Sequence, residues 1–297
     1  MKKGSQAKRK QWYPSRWGAG DEVGALNLVT PDRVKVAARL VKNGRIYSLG
    51  HVLEPGIPVH WVNGHFLYST FRSHSELGRL TKSKNGFAAM SVRLEIGDHT
   101  GTHLDGLNHV SKDLKLYNGV DAAEVTGDFG TSKNGMEKTP PIFTRGVIAD
   151  VATCKGMDRL PPGHVITEDE LKASAVALEP GDALLIATGW SQLWMKDNEK
   201  YLGPCPGIGI SAADWIVEQG ASIVGSDTWK VEVHPGERDG IVTPVHQLLI
   251  TENGIRLLEN LDLEKIRHEG VREFLFVCLP LMVKGGAGSP VTPIAVT

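Results

Sequence analysis

An alternating segment that runs directly into a dense group of metal-binding side chains constrains this chain more than any other feature. From 90 to 96, apolar residues alternate strictly with polar ones, which predicts a half-buried β-strand. The segment 99–109, HTGTHLDGLNH, follows almost at once. The imidazoles of His99 and His103 and the carboxylate of Asp105 suit a divalent ion such as Zn²⁺ or Mn²⁺. We therefore predict a metal site on the loop after this strand.

The spacing of the three side chains predicts how they meet. His103 and Asp105 point the same way if that stretch is extended. His99 must then reach them across a bend, and Gly101 permits the backbone to turn there. Two alternatives remain open: a hydrogen-bonded loop with exposed histidines, and a turn-capping role for Asp105 before Gly106. The pattern is not HExxH, so a zincin helix does not fit.

Strand and helix patterns mix along the rest of the chain, which predicts an α/β protein. The helices are too irregularly spaced for a regular (β/α)₈ barrel, and the sequence lacks both GxGxxG after a strand and a Walker loop. Capping and turn signals predict helices at 31–43, 168–178, 211–219 and 244–253. Apolar runs predict strands at 147–151, 183–187, 222–225, 255–258 and 273–281.

Composition and charge narrow the class of protein further. The net charge is −1 over 297 residues, so a nucleic-acid partner is not expected, and the basic residues within 2–10 are interpreted as a solvated tail. No apolar segment predicts a secretory signal or a membrane span. The odd set Cys154, Cys205 and Cys278 predicts buried thiols in a reducing compartment, hence a cytoplasmic location.

The histidine segment resembles the cyclase family of metal-dependent hydrolases, which includes kynurenine formamidase-like and isatin hydrolase-like enzymes. The family motif HxGTHxDxPxH is met between His99 and His109, except that Leu107 stands at the proline position, which affects loop shape rather than a ligand. Only residues 1–15 fall outside the resemblance. The other matching segments are 17–22, 24–27, 188–190, 206–209, 225–228, 244–247, 259–261 and 284–290.

The resemblance implies a fold and a ligand set. The expected fold is an α/β swivelling β/β/α-type single domain over 16–297, with a central barrel-like mixed sheet flanked by helices, after a disordered or extended tail at 1–15. The residues expected to bind the metal directly are His99, His103 and Asp105. On the other side of the site, His246 and Glu259 would complete one or two ion sites, with the aspartate as a bridge. Homodimers or homotetramers are expected.

The expected activity is hydrolysis of an amide or ester bond by metal-activated water, of the amidohydrolase or arylformamidase type (EC 3.5). The substrate would be a small aromatic or cyclic molecule: an aryl formamide, a cyclic amide or a lactone. His109 and His246 would transfer protons during the reaction. Alternatively, His109 would be a third nitrogen ligand of the metal or would make a structural hydrogen bond. Three tryptophans are predicted to contact substrate: Trp61, Trp190 and Trp229.

Two further functions remain open. One is a metal-dependent cyclase or lyase that acts on a carbonyl substrate without net addition of water. The other is a non-catalytic protein that binds a metal or a ligand. The sequence distinguishes neither Zn²⁺ from Mn²⁺ nor one ion from two.

Overall fold

A curled, nine-stranded mixed sheet forms the centre of the protein in a computed structural model that describes residues 11–297. Within these residues the strands are β1 (Ile46–Ser48), β2 (Leu67–Arg72), β3 (Ser91–Glu95), β4 (His103–Asp105), β5 (Thr126–Gly127), β6 (Gly130–Thr131), β7 (Ile142–Asp150), β8 (Val165–Ile166), β9 (Ala183–Ala187), β10 (Gly207–Ile208), β11 (Ile223–Ser226), β12 (Arg256–Glu259), β13 (Glu273–Cys278), β14 (Gly288–Pro290) and β15 (Ile294–Val296).

Short helices flank this sheet. In the described part of the chain they are α1 (Pro31–Ala38), α2 (His74–Thr81), α3 (Ala122–Val125), α4 (Val151–Cys154), α5 (Glu168–Ser174), α6 (Asn198–Leu202), α7 (Ile210–Gln219), α8 (Pro244–His246) and α9 (Glu264–His268). A π-helix, Gln247–Glu252, continues directly from α8. Single 3₁₀ turns occupy several of the connections.

The sheet has a parallel centre and antiparallel edges. Its order is β1-β15-β13-β7-β9-β11-β12-β4-β14, and the neighbours from β7 to β12 are parallel. The edge pairs, among them β12 with β4 and β4 with β14, are antiparallel. This mixed α/β sheet confirms the fold class that the resemblance implied. It also explains why a (β/α)₈ barrel did not fit the spacing of the helices.

Both faces of the central sheet are buried. On β9 the side chains of Leu184 and Ile186 enter one hydrophobic cluster, and those of Leu185 and Ala187 enter a second cluster on the other face. Alternate residues of a strand point to opposite faces, so a continuous apolar run is what a strand covered on both sides requires. The apolar run 183–187 was predicted as a strand, and β9 has those bounds.

The starts of α1 and α5 were predicted better than their ends. The Thr30 side chain accepts a hydrogen bond from the Arg33 backbone N–H and so caps α1, and the predicted capping box at Thr167 is present at α5. However, α1 ends at Ala38 rather than near 43, and α5 ends at Ser174 rather than near 178. A side-chain cap fixes a start locally, whereas tertiary packing decides how many turns follow.

The prediction that segment 90–96 is half buried is wrong. Strand β3 forms there, but every one of its residues is exposed, and within residues 11–297 it pairs only with β2. Residues 61–95, called the arm below, leave the sheet as this hairpin and helix α2. Alternation predicts the strand but cannot show that a core covers one face of it. The prediction of three buried thiols also fails at Cys154, which is exposed.

Only part of the predicted N-terminal tail is described by the structure. Residues 1–10 lie outside the described part of the chain. Within the described part, the backbone N–H of Ser15 donates to the side chain of Asn118, 2.7 Å away. The single-domain boundary at 16 stays a prediction. Among the described residues, no helix has both the length and the apolar character to cross a bilayer. The cytoplasmic location also stays a prediction.

Candidate metal centre

The register between β4 and β12 places the first three polar side chains. His103 lies directly opposite Glu259, and Leu104 lies opposite Leu258. Residues two apart on a strand share a face, so Asp105 projects beside His103 while Leu104 turns into the hydrophobic core. The apolar side chains anchor the strand pair, and the polar side chains collect on its other face.

A sharp bend returns His99 to the same face. Gly101 has φ +64°, the left-handed conformation that glycine adopts without steric cost, so the predicted bend is present. The Asp98 carboxylate lies 2.8 Å from Nδ1 of His99, which fixes the ring and directs Nε2 inward. A Cβ at position 288 would lie only 2.7 Å from His99 Nε2, so Gly288 is what lets the ring pack against β14.

His246 enters from the opposite side, on the short helix α8. Its Nδ1 pairs with the buried carboxylate of Glu232, and its Nε2 lies 3.3 Å from Oε1 of Glu259. Glu232 also accepts a hydrogen bond from the Val245 backbone N–H at 3.1 Å. The same carboxylate therefore holds both the start of the helix and the orientation of the imidazole.

Five side chains converge in this way on one buried point. Nε2 of His103 lies 3.5 Å from Asp105 Oδ1 and 3.4 Å from Glu259 Oε2, and Nε2 of His99 lies 3.4 Å from Asp105 Oδ1. All five residues, including His246, are at most 8% exposed. Among the described residues, ligand atoms within 4.8 Å of one another form two overlapping groups, Asp105 with His99 and His109 and Asp105 with His246 and Glu259; His103 belongs to neither group.

The hydrogen bonding of these side chains fits a divalent cation. Each imidazole uses Nδ1 outside the cluster, on Asp98, on the Gly101 carbonyl or on Glu232, so each Nε2 faces inward. Within the described residues, both carboxylate oxygens of Asp105 are buried without a hydrogen-bond partner, and the turn-capping alternative therefore fails. Buried polar atoms without partners are costly, and coordination to an ion would satisfy them.

The electrostatics of the cluster favour positive charge. Burial would raise the pKa of Glu259, but hydrogen bonds from His103 and His246 hold it well below its usual value. Burial and the charge of Glu259 raise the pKa of Asp105 to about 6. Although burial opposes it, pairing with Glu232 and Glu259 raises the pKa of His246 to about 10. The carboxylates thus stabilise cationic partners, which is the charge that a metal ion supplies.

His109 lies at the open side of the cluster. Its ring centroid is 4.0 Å from that of His99 and 6.5 Å from that of His246. His109 is exposed as a residue, but protein surrounds its imidazole, and this burial together with the neighbouring imidazoles lowers its pKa. A neutral imidazole at the mouth of the site can exchange protons with solvent. Both the proton-moving role and the ligand role stay predictions.

Sequence reasoning missed the residues that orient the ligands. Glu232 lies 14 positions before His246, so no short spacing joins them. Asp98 directly precedes His99 and carried a weak signal, because carboxylate–histidine pairs recur at metal sites. Asn260 donates to the Gly101 carbonyl at 2.9 Å and so supports the bend. Only the fold brings these groups to the cluster.

The three predicted substrate-binding tryptophans have different surroundings. The prediction for Trp190 is corrected, because this residue is completely buried and its indole N–H donates to the Tyr201 carbonyl, 3.0 Å away. Trp229 is half buried and stacks on His60, with ring centroids 4.9 Å apart. Trp61 is 83% exposed, at the start of the arm. Substrate contact at Trp229 and Trp61 stays a prediction.

Known proteins resemble this chain over most of its length. It is 24% identical to cyclase-like protein 2 of Arabidopsis thaliana, across 96% of this chain and 90% of that protein. It is 22% identical to isatin hydrolase of Roseibium aggregatum, across 67% of this chain and 72% of that protein.

Solved structures share the fold. A crystal structure described as a novel cyclase superposes with a TM-score of 0.86 at 30% identity, covering 95% of this chain and 98% of that one. A predicted metal-dependent hydrolase from Bacillus stearothermophilus superposes with a TM-score of 0.57 at 17% identity, covering 86% and 98%. The model of the Cyclase family matches residues 47–233, a span that contains β4 and the histidine segment. The resemblance predicted from the motif is thereby confirmed, and the chain belongs to the cyclase family.

Proposed function

We propose that this protein is a hydrolase that uses a divalent metal to cleave an amide or ester bond in a small aromatic or cyclic molecule. The observation that carries the proposal is the convergence of three Nε2 atoms on the carboxylates of Asp105 and Glu259, with both Asp105 oxygens otherwise unpartnered. A bound Zn²⁺ or Mn²⁺ supplies a Lewis acid and an activated water at neutral pH. Nitrogen and oxygen donors suit either metal, as one ion or as two bridged by Asp105.

The chain's own residues divide the remaining work. His99, His103 and His246 would hold the ion through Nε2, because Asp98, the Gly101 carbonyl and Glu232 occupy Nδ1. Because burial and the neighbouring imidazoles lower its pKa, His109 is neutral at pH 7; it would first take the proton released by the attacking water and then give that proton to the leaving nitrogen or oxygen.

The relatives support hydrolysis but do not identify the type of bond that is cleaved. The isatin hydrolase relative acts, by its name, on a cyclic amide, and the flat pair formed by His60 and Trp229 offers a surface for a planar molecule. We therefore place cyclic amides and aryl formamides ahead of lactones among the proposed substrates. These bonds correspond to the EC 3.5 class.

The test combines metal analysis with a hydrolysis panel in ¹⁸O-labelled water. We expect bound Zn or Mn in the purified protein and products that gain one labelled oxygen. His103→Ala should lose both metal and turnover. His268→Ala is the matched control, because this histidine is exposed on α9 and lies 3.3 Å from Glu264 at the surface. A folded wild-type protein that takes up neither Zn²⁺ nor Mn²⁺ would disprove the proposal.

The same panel separates the other two functions. A cyclase or lyase would consume substrate without incorporating labelled oxygen. A non-catalytic binding protein would hold metal stoichiometrically and turn over nothing. The imidazole of His109 beside the cluster favours catalysis, because storage of a metal requires no proton carrier.

We also propose that a second copy of this chain covers the arm, in a homodimer or a homotetramer. An isolated two-stranded hairpin is marginally stable in water, and this one presents large apolar side chains on both faces. Those at least 40% exposed are Trp61, Val62, Leu67, Tyr68, Phe71, Leu80, Phe87, Met90, Val92 and Leu94. Phe71→Glu combined with Leu94→Glu should lower the mass measured by analytical ultracentrifugation. An unchanged mass would contradict the proposal.

A further inference from the structure

A series of hydrogen bonds connects a buried tyrosine to the metal centre. Tyr201 is completely buried in the hydrophobic cluster that also contains Trp190 and Trp194. Its ring lies edge-on against that of Trp194, with centroids 5.4 Å apart, and its backbone carbonyl accepts the indole N–H of Trp190. This packing gives the hydroxyl a fixed direction, and it donates to Oδ1 of Asn260 at 2.7 Å.

The backbone of Asn260 is held in an unusual conformation. Asn260 directly follows β12 and has φ +55°, a left-handed conformation that asparagine tolerates better than most residues other than glycine. Its N–H donates to the Thr228 carbonyl at 2.9 Å, and its carbonyl accepts from the Thr102 hydroxyl at 2.5 Å. Successive residues of a regular strand face opposite sides. Because the left-handed residue ends that alternation, Glu259 and Asn260 both approach His103.

The Gly101 carbonyl determines which way the Asn260 amide faces. A carbonyl oxygen can only accept, so the group that lies 2.9 Å from it must be the amide nitrogen Nδ2. Oδ1 therefore faces Tyr201, whose hydroxyl must be the donor. Burial raises the pKa of Tyr201 well above its usual value, so the hydroxyl carries this proton at neutral pH. The two hydrogen bonds together hold the amide in one orientation.

The same carbonyl selects the tautomer of His103. Nδ1 of His103 also lies 2.9 Å from the Gly101 oxygen and must therefore carry a proton. In the neutral imidazole the lone pair is then on Nε2, which lies 3.4 Å from Glu259 and 3.5 Å from Asp105. Nδ1 of His103 and Nδ2 of Asn260 are 3.4 Å apart, and both donate to this one oxygen.

We propose that Tyr201 and Asn260 are positioning residues that hold His103 in its metal-binding tautomer and orientation. The Tyr201 hydroxyl orients the amide, the amide holds the Gly101 carbonyl, and that carbonyl accepts the Nδ1 proton of His103. A hydroxyl in the hydrophobic interior, three hydrogen bonds away from the imidazole, thus controls metal affinity. The inference rests on the proposed function for the presence of a metal, and extends it to residues that do not bind the ion.

The test measures Zn²⁺ affinity by competition with a chelator, and the arrangement of ligands by the visible absorption of bound Co²⁺. Tyr201→Phe keeps the packed ring and removes only the hydroxyl, which leaves the buried Oδ1 of Asn260 without its donor. We expect about tenfold weaker Zn²⁺ binding, the lower end of the effect of groups that orient histidine ligands, and an altered Co²⁺ spectrum. Asn260→Gly suits the positive φ and should weaken Zn²⁺ binding at least as much.

Two further variants separate positioning from general destabilisation. Tyr117→Phe removes another buried tyrosine hydroxyl, which donates to Asp21 at 2.5 Å, and should leave the Zn²⁺ affinity and the Co²⁺ spectrum unchanged. The double variant Tyr201→Phe/Asn260→Gly should bind Zn²⁺ no more weakly than Asn260→Gly alone, because the hydroxyl acts only through the amide.

Three results would overturn the inference. They are wild-type Zn²⁺ affinity in folded Tyr201→Phe, losses of affinity that add in the double variant, and an equal loss in Tyr117→Phe. These measurements do not involve turnover. A wild type that binds Zn²⁺ but hydrolyses nothing would refute the proposed hydrolase while the Tyr201 result stands, whereas an active hydrolase with additive losses would refute the positioning role alone.

Discussion

Replacing Glu232 by glutamine tests whether a buried carboxylate that is not itself a ligand controls metal binding. Glu232 is 2% exposed and accepts from two donors, Nδ1 of His246 and the backbone N–H of Val245. Glutamine keeps the volume but offers only one carbonyl oxygen, so its NH₂ group must face one of these donors. Either the imidazole or the start of α8 then loses its partner, and both of these hold Nε2 of His246 toward Glu259.

The expected effect follows from that lost bond. Removing a group that orients a histidine ligand costs about 10- to 100-fold in metal affinity, or about 1.4–2.7 kcal/mol. The loss of a buried hydrogen bond to a charged group should also lower the free energy of unfolding of the metal-free protein by about 1.5–3 kcal/mol. Competition with a chelator of known affinity measures the first quantity, and urea unfolding measures the second.

A second glutamate of the chain provides the control. Glu170 accepts from the Thr167 backbone N–H and lies 3.1 Å from Nε2 of His164, so it has the same two kinds of neighbour at the surface of α5. Glu170→Gln should leave metal affinity unchanged. Wild-type metal affinity in folded Glu232→Gln would refute the view that this carboxylate positions His246.

Three further perturbations have expected outcomes. Trp190→Ala should lower the free energy of unfolding, measured by urea denaturation, by about 3–5 kcal/mol, because a completely buried indole is lost. Trp61 is 83% exposed, so Trp61→Ala should change the free energy of unfolding of dilute protein by less than about 0.5 kcal/mol. Partial burial would raise the pKa of Asp21, but hydrogen bonds from Tyr117 and nearby groups hold it below the usual value. Asp21 therefore adds to the free energy of unfolding above its unfolded pKa of about 3.9, and this stabilisation is lost as the pH falls through the folded pKa. Asp21→Asn should flatten the acid side of a curve of stability against pH. Removing the metal with a chelator should lower the melting temperature of the wild type in calorimetry, and His103→Ala should abolish that difference.

Local chemistry determined much of this protein. The motif from His99 to His109 predicts the family, and that resemblance implied both the mixed α/β sheet and the place of His246 and Glu259 in one cluster. The bend at Gly101 followed from the sequence as well, because only glycine adopts a positive φ without cost. The starts of α1 and α5 and the strand 183–187 were also predictable, since caps and apolar runs act over a few residues.

Tertiary structure decided what depends on distant neighbours. Strand β3 was predictable as a strand, but its exposure was not, because in the described chain β3 pairs with β2 alone and joins no strand of the central sheet. The sequence predicted the same role for Trp190 and Trp229, yet Trp190 lies in the core and Trp229 is half buried and stacks on His60. Glu232 reaches His246 only because the segment that follows β11 returns to the start of α8. Burial and orientation are properties of the packed chain, and local sequence patterns do not contain them.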